Sequence, residues 1–121
     1  MIETRHDVIV CTRCRTDDGA RPGPELMAML APRLDADIWR VAGVECLAGC
    51  ERPLAVGFRA PEKAAFLFGD IVPAADCEGL AEFAAFYASL PDGWCNEGQR
   101  PLALRNKTLA RIPALPREGA R

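Results

Sequence analysis

Two cysteine pairs, Cys11-x-x-Cys14 and Cys46-x-x-x-Cys50, each close an apolar run rich in strand-forming residues, and this constrains the chain more than any other feature. The first run is Asp7-Val8-Ile9-Val10, the second Asp37 to Val44. β-Branched and aromatic side chains favour strands. Between the runs, Thr16–Gly23 reads as a loop and Pro24 as the opening of a helix, where a missing N–H costs nothing. Met27, Leu30 and Leu34 give that helix an apolar face, and Pro32 should shorten it. Strand, helix, strand is the βαβ unit, whose two strands run parallel, so both cysteine pairs leave the same sheet edge. A gap of 31 residues in sequence then closes in space. Loops at that edge are where such folds hold ligands.

The rest of the chain extends this layout. Pro53–Phe58 and Ala64–Phe68 read as a hairpin of two further strands. Leu80, Phe83, Ala84 and Tyr87 recur at helical spacing behind Asp76, a good N-cap. The order βαβ, ββ, α predicts a thioredoxin-like α/β fold with a four-stranded mixed sheet. We place a metal-binding domain at 1–97 and an extended C-terminal arm at 98–121. Prolines 101, 113 and 116 interrupt the arm, leaving room for a short helix near Lys107-Thr108-Leu109. Its apolar residues, Leu102, Leu104, Leu109, Ile112 and Leu115, predict packing on the domain or on a second subunit, as in a homodimer.

Composition excludes several classes. With 121 residues, half of them hydrophobic and 26% charged, the chain suits one folded domain. Strictly apolar runs such as Leu26–Ala31 and Ala64–Phe68 are far short of a membrane span. The acidic start, Met1 to Asp7, does not resemble an export signal, so the expected compartment is the cytoplasm. The net charge of −2 excludes a generally basic nucleic-acid binder. It divides into −7 over residues 1–99 and +5 over 100–121.

In a reducing compartment six cysteines point to metal or redox chemistry rather than disulfides. Four thiolates at one edge have three uses. They can hold an iron–sulfur cluster, form a closed zinc or cobalt site, structural or for metal delivery, or act as a dithiol oxidoreductase through Cys11 and Cys14. Arg13, Arg15 and Arg52 neighbour the pairs and could stabilise thiolate charge; Gly49 lets the second loop bend. Cys77 and Cys95 have no partner at ligand spacing and read as buried small side chains. His6, the single histidine, reads as an exposed residue at a strand start. No phosphate loop, Ser-His-Asp set or paired acidic motif is present, so an enzyme is not expected.

The segment Val44-Glu45-Cys46-Leu47-Ala48-Gly49-Cys50-Glu51-Arg52-Pro53 resembles the second cysteine loop of thioredoxin-like [2Fe-2S] ferredoxins, and of the small cluster-bearing subunit of bacterial NADH dehydrogenase. There the loop reads Cys-Leu-Gly-x-Cys before a proline, and an earlier pair follows the first strand. This chain departs from them in placing only two residues between Cys11 and Cys14. Over nearly its whole length it is also similar to an uncharacterised bacterial family of predicted metal-binding, ferredoxin-like proteins, often found in cobalamin or cobalt gene neighbourhoods. The stretches carrying that likeness include Cys11-Thr12-Arg13-Cys14, Arg21-Pro22-Gly23-Pro24, Leu67-Phe68-Gly69-Asp70, Asp92-Gly93-Trp94 and Ala110-Arg111-Ile112-Pro113-Ala114. The resemblance implies a [2Fe-2S] cluster on Cys11, Cys14, Cys46 and Cys50, and an electron carrier serving a redox partner protein.

Overall fold

A computed structural model describes residues 5–115. The first four residues, part of the start read for export, and the end of the arm lie outside them. The elements follow in the order β1 (His6–Cys11), α1 (Gly23–Leu30), β2 (Trp39–Val44), β3 (Val56–Arg59), β4 (Ala65–Phe68), α2 (Pro73–Ser89) and β5 (Thr108–Ile112), with short 3-10 turns at Ala31–Arg33, Glu97–Gln99 and Leu102–Leu104. They build one mixed sheet in the order β2-β1-β3-β4-β5.

β1 and β2 pair in parallel, His6 opposite Trp39 through Cys11 opposite Val44. β1 is therefore central, with β3 antiparallel on its other side. Val8 and Val10 of β1, Phe58 of β3, and Phe66 and Phe68 of β4 turn one sheet face into the core. There they meet Leu26 and Leu30 of α1 and Leu80, Phe83 and Tyr87 of α2. Phe83 meets Phe58, Phe66 and Phe68 edge-on, with ring centroids 4.9 to 5.4 Å apart. Burying each such side chain stabilises the fold by about 1.5–3 kcal/mol. α1 gives way to a 3-10 turn at Ala31–Arg33, where Pro32 ends regular helical bonding.

The sheet has five strands, not four. The expected short helix near Lys107–Leu109 is instead the start of β5, which pairs antiparallel with β4. The reason is non-local: the outer edge of β4 carries backbone groups that need partners, and β5 supplies them. The arm's polar residues bind as well. Arg100 is buried and donates to Thr108 Oγ1 and to the Cys95 carbonyl, at 3.1 and 3.2 Å. The Arg111 guanidinium lies 3.6 Å from the Trp94 ring centroid. Of the arm's five apolar residues, Leu104 is fully buried, whereas Leu102, Ile112 and Leu115 are exposed.

Other expectations shift by smaller amounts. α2 begins at Pro73, ahead of Asp76, and the Asp76 carboxylate reaches back 2.8 Å to the Val72 N–H. Lys107 of the arm pairs with the same carboxylate at 2.5 Å. His6 is buried rather than exposed: its ring lies 5.0 Å from that of Trp39, and Nε2 is 2.9 Å from Lys63 Nζ. Cys77 and Cys95 are buried, as expected. No helix among the described residues is long and apolar enough to cross a membrane.

Candidate metal centre

The C-terminal ends of β1 and β2 carry the two cysteine loops side by side. Cys11 is the last residue of β1, and its N–H donates to the Ala55 carbonyl at 3.1 Å. The next residue joins the loops: both the N–H and the hydroxyl of Thr12 donate to the Val44 carbonyl, at 2.8 and 3.1 Å. The first loop then returns against the start of α1. A Cβ on Gly23 would lie 2.2 Å from the Cys11 carbonyl oxygen, so only glycine fits. This packing buries Cys11 and Cys14, 1% and 4% exposed.

The second loop is built differently. Ala48 turns the chain with a φ of 62°, and its N–H donates to Cys46 Sγ at 3.2 Å. The sharp bend thus falls on Ala48, not on Gly49. Gly49 serves close approach instead: a Cβ there would come within 3.0 Å of the Ala55 side chain and 3.3 Å of Leu109. Cys46 and Cys50 are exposed, with their sulfurs 3.7 Å apart.

Arg52, expected beside the thiolates, faces the other way. Its guanidinium binds Asp70 at 2.6 Å and the Asn106 carbonyl at 2.8 Å, and so clamps the second loop to the arm. Arg13 borders the cysteines and stands 3.8 Å from Glu45. Arg15 is exposed.

The four cysteines, with Arg13 and Glu45, line one open cleft of about 260 Å³. The thiols also interact within it. Burial pushes Cys14 up to about 11, helped by the hydrogen bond its thiol donates to the Cys11 sulfur. Burial acts on Cys11 too. There it is outweighed by hydrogen bonds from the Cys14 thiol and from the N–H groups of Arg13, Cys14 and Leu47, which hold Cys11 below the usual thiol value. Cys50 is raised by its hydrogen bond with Cys46 and by the charge on that sulfur. The donors at Leu47 and Ala55, which serve Cys11 and Cys14, are backbone groups that side-chain identity does not announce.

The donor set fits a sulfur-bound metal. A tetrahedral ion with sulfur bonds of about 2.3 Å holds its sulfurs about 3.8 Å apart. The Cys46–Cys50 spacing of 3.7 Å matches one such edge. Among the described residues no three His, Cys, Asp or Glu side chains are gathered about a single ion position. What the cleft offers is the Cys46–Cys50 pair and the hydrogen-bonded Cys11 and Cys14.

No curated protein matches the chain. Among solved structures, the wild-type thioredoxin-like [2Fe-2S] ferredoxin from Aquifex aeolicus is similar with a TM-score of 0.56 at 15% sequence identity. The likeness covers 88% of this chain and 98% of that one, and at such identity it is a likeness of fold. Residues 8–114 match the family model described as Protein of unknown function (DUF1636), and the chain belongs to that family.

Proposed function

We propose that the protein is a small electron carrier holding one [2Fe-2S] cluster on Cys11, Cys14, Cys46 and Cys50. The observation that carries this reading is that all four sulfurs line one cleft, with Cys46 and Cys50 3.7 Å apart and the Cys14 thiol hydrogen-bonded to Cys11. Two-iron clusters take four cysteine thiolates, which divide two to each iron, and the pairs meet that requirement. The fold likeness to a thioredoxin-like [2Fe-2S] ferredoxin supports it further. When bound, the cluster would supply a one-electron step. The chain's own part is to hold four thiolates, shield the Cys11 and Cys14 side from water, and leave the Cys46 and Cys50 side open to a partner. Arg13 and Arg15 are exposed on the first loop and would favour an acidic surface on a redox partner protein.

Zinc or cobalt is the second reading, because a 3.7 Å sulfur spacing suits any tetrahedral thiolate ion. Anaerobic purification separates the two. The cluster reading expects red-brown protein with about two irons and two sulfides per chain and an S = 1/2 EPR signal after dithionite. Replacing any of the four cysteines by serine should remove or destabilise the metal, while C77S and C95S should retain it. Colourless protein with about one zinc per chain, after failed cluster reconstitution, would replace the carrier with a metal-binding module.

A further inference from the structure

The two pairs differ in access, and this has a chemical consequence for the metal-free chain. Cys11 and Cys14 are buried, 1% and 4% exposed. Cys46 and Cys50 are exposed, and their sulfurs are already 3.7 Å apart. A disulfide needs about 2.05 Å, so closing the bond requires a movement of under two ångströms in a surface loop. Cys46 Sγ accepts the Ala48 N–H, which orients its lone pairs within that turn. Cys50 also borders a second hollow of about 530 Å³, on the far side of the loop, with Arg52, Leu67 and Leu109. A reagent can therefore approach this pair both from the shared cleft and from this second hollow.

We propose that Cys46 and Cys50 form a separate thiol–disulfide site in the metal-free protein, oxidised by low-molecular-weight disulfides while Cys11 and Cys14 stay reduced. The sulfur of Cys46, as thiolate, attacks one sulfur of the small disulfide; that S–S bond breaks and the first small thiolate leaves. Cys50, its proton lost to solvent, then attacks the Cys46 sulfur of the mixed disulfide and expels the second small thiolate. The protein gains one disulfide, the reagent is reduced to two thiols, and the two protons lost by the protein end on them. Oxidation removes two of the four sulfurs lining the cleft, so the exposed pair gates metal loading by redox state. This differs from a dithiol enzyme working through Cys11 and Cys14, whose sulfurs a solution disulfide does not reach.

The site does not depend on which metal the cleft takes. The test uses the full chain, reduced and freed of metal by chelator, then exposed to oxidised glutathione. Free thiols are counted by alkylation and disulfides mapped by peptide mass spectrometry. The expected result is the loss of two thiols of the six, with the bond between Cys46 and Cys50, reversed by dithiothreitol. Alkylation of Cys46 and Cys50 should outpace that of Cys11 and Cys14 on the order of tenfold. The C50S variant should stop at a glutathione adduct on Cys46, and C46S at one on Cys50. Six free thiols after treatment, a first bond between Cys11 and Cys14, or a bond crossing the pairs would overturn the proposal. Iron and sulfide content, measured separately on protein as purified, decides the cluster reading independently.

Discussion

The two cysteine loops leave neighbouring parallel strands, yet they are held by different parts of the fold. The first leaves β1, a central strand covered by β2 on one side and β3 on the other. It is fixed by backbone contacts: Cys11 to Ala55, Thr12 to Val44, and Gly23 against the Cys11 carbonyl. The second leaves β2, an edge strand. It is fixed from behind by the arm and by Asp70: Leu109 stands against Gly49, the Arg52 side chain binds the Asp70 carboxylate and the Asn106 carbonyl, and the Asp70 N–H donates to the Arg52 carbonyl at 2.7 Å. Position in the sheet therefore decides which sulfurs are buried. A site built this way has one rigid, shielded half and one accessible, yielding half, a division suited to exchange with a partner or reagent at one face.

The largest expected effect comes from adding a single carbon to each loop. In G23A the new Cβ meets backbone atoms of Cys11 and Thr12, at 2.2 Å for the carbonyl oxygen and 3.1 Å for the next two. Backbone in a central strand cannot withdraw. Alanine's helix preference of about 1 kcal/mol over glycine should be overwhelmed, with a net loss of about 2–3 kcal/mol by urea denaturation. In G49A the new carbon meets side chains of Ala55 and Leu109 at 3.0 and 3.3 Å, and side chains can shift. Its cost should be about 1 kcal/mol. Equal losses in the two variants would show that the second loop is as rigid as the first.

The meeting of the loops was legible because a βαβ unit puts both strand ends at one edge whatever its side chains are. α2 was legible from the spacing of Leu80, Phe83, Ala84 and Tyr87, all of them buried. The difference between the pairs was not, since it depends on β3 joining β1 rather than β2, a choice no local pattern encodes. β5 has no local signal for a similar reason. Thr108-Leu109-Ala110-Arg111-Ile112 lies in a proline-broken stretch, and its strand exists because the edge of β4 takes it. The burial of His6 has no local signal, because Trp39, Tyr87 and Lys63, remote in sequence, pack around it. Arg52 lies two residues from Cys50, but Asp70 draws it away.

A smaller effect sharpens the contrast. The Arg52–Asp70 pair is 38% and 46% exposed, so its direct worth is about 0.2–1 kcal/mol after solvent screening. R52A should hardly move the urea midpoint. It also removes the tie to Asn106, so the second loop should open more often. Amide hydrogen exchange should quicken over residues 47–52 and stay unchanged over 12–14. Faster exchange in both loops would mean that they open as one unit, and the division between a shielded and a yielding half would fail.

The smallest expected effect lies at the opposite end of β1 and serves as a control on that division. Asp7 stands in register with Arg40 of β2 and Arg59 of β3, its carboxylate 3.1 and 3.3 Å from their guanidinium groups. Burial pushes its pKa up, but the hydrogen bonds and charges of the two arginines outweigh this and hold it below the ordinary 3.8. A carboxyl lowered in the folded state contributes stability that is present above its unfolded value and is lost as pH falls through the folded one. Both arginines are more than half exposed, so the contribution at neutral pH is about 1 kcal/mol or less. In the metal-free chain, D7N should reduce stability slightly near pH 7 and flatten its decline below about pH 4. Since the cysteine loops leave the far ends of β1 and β2, the alkylation rates of all four cysteines should match those of the unaltered chain. A change at Cys46 and Cys50 alone would show that the edge strand β2 transmits strain along its length, and that the second loop is held by its strand as well as by the arm.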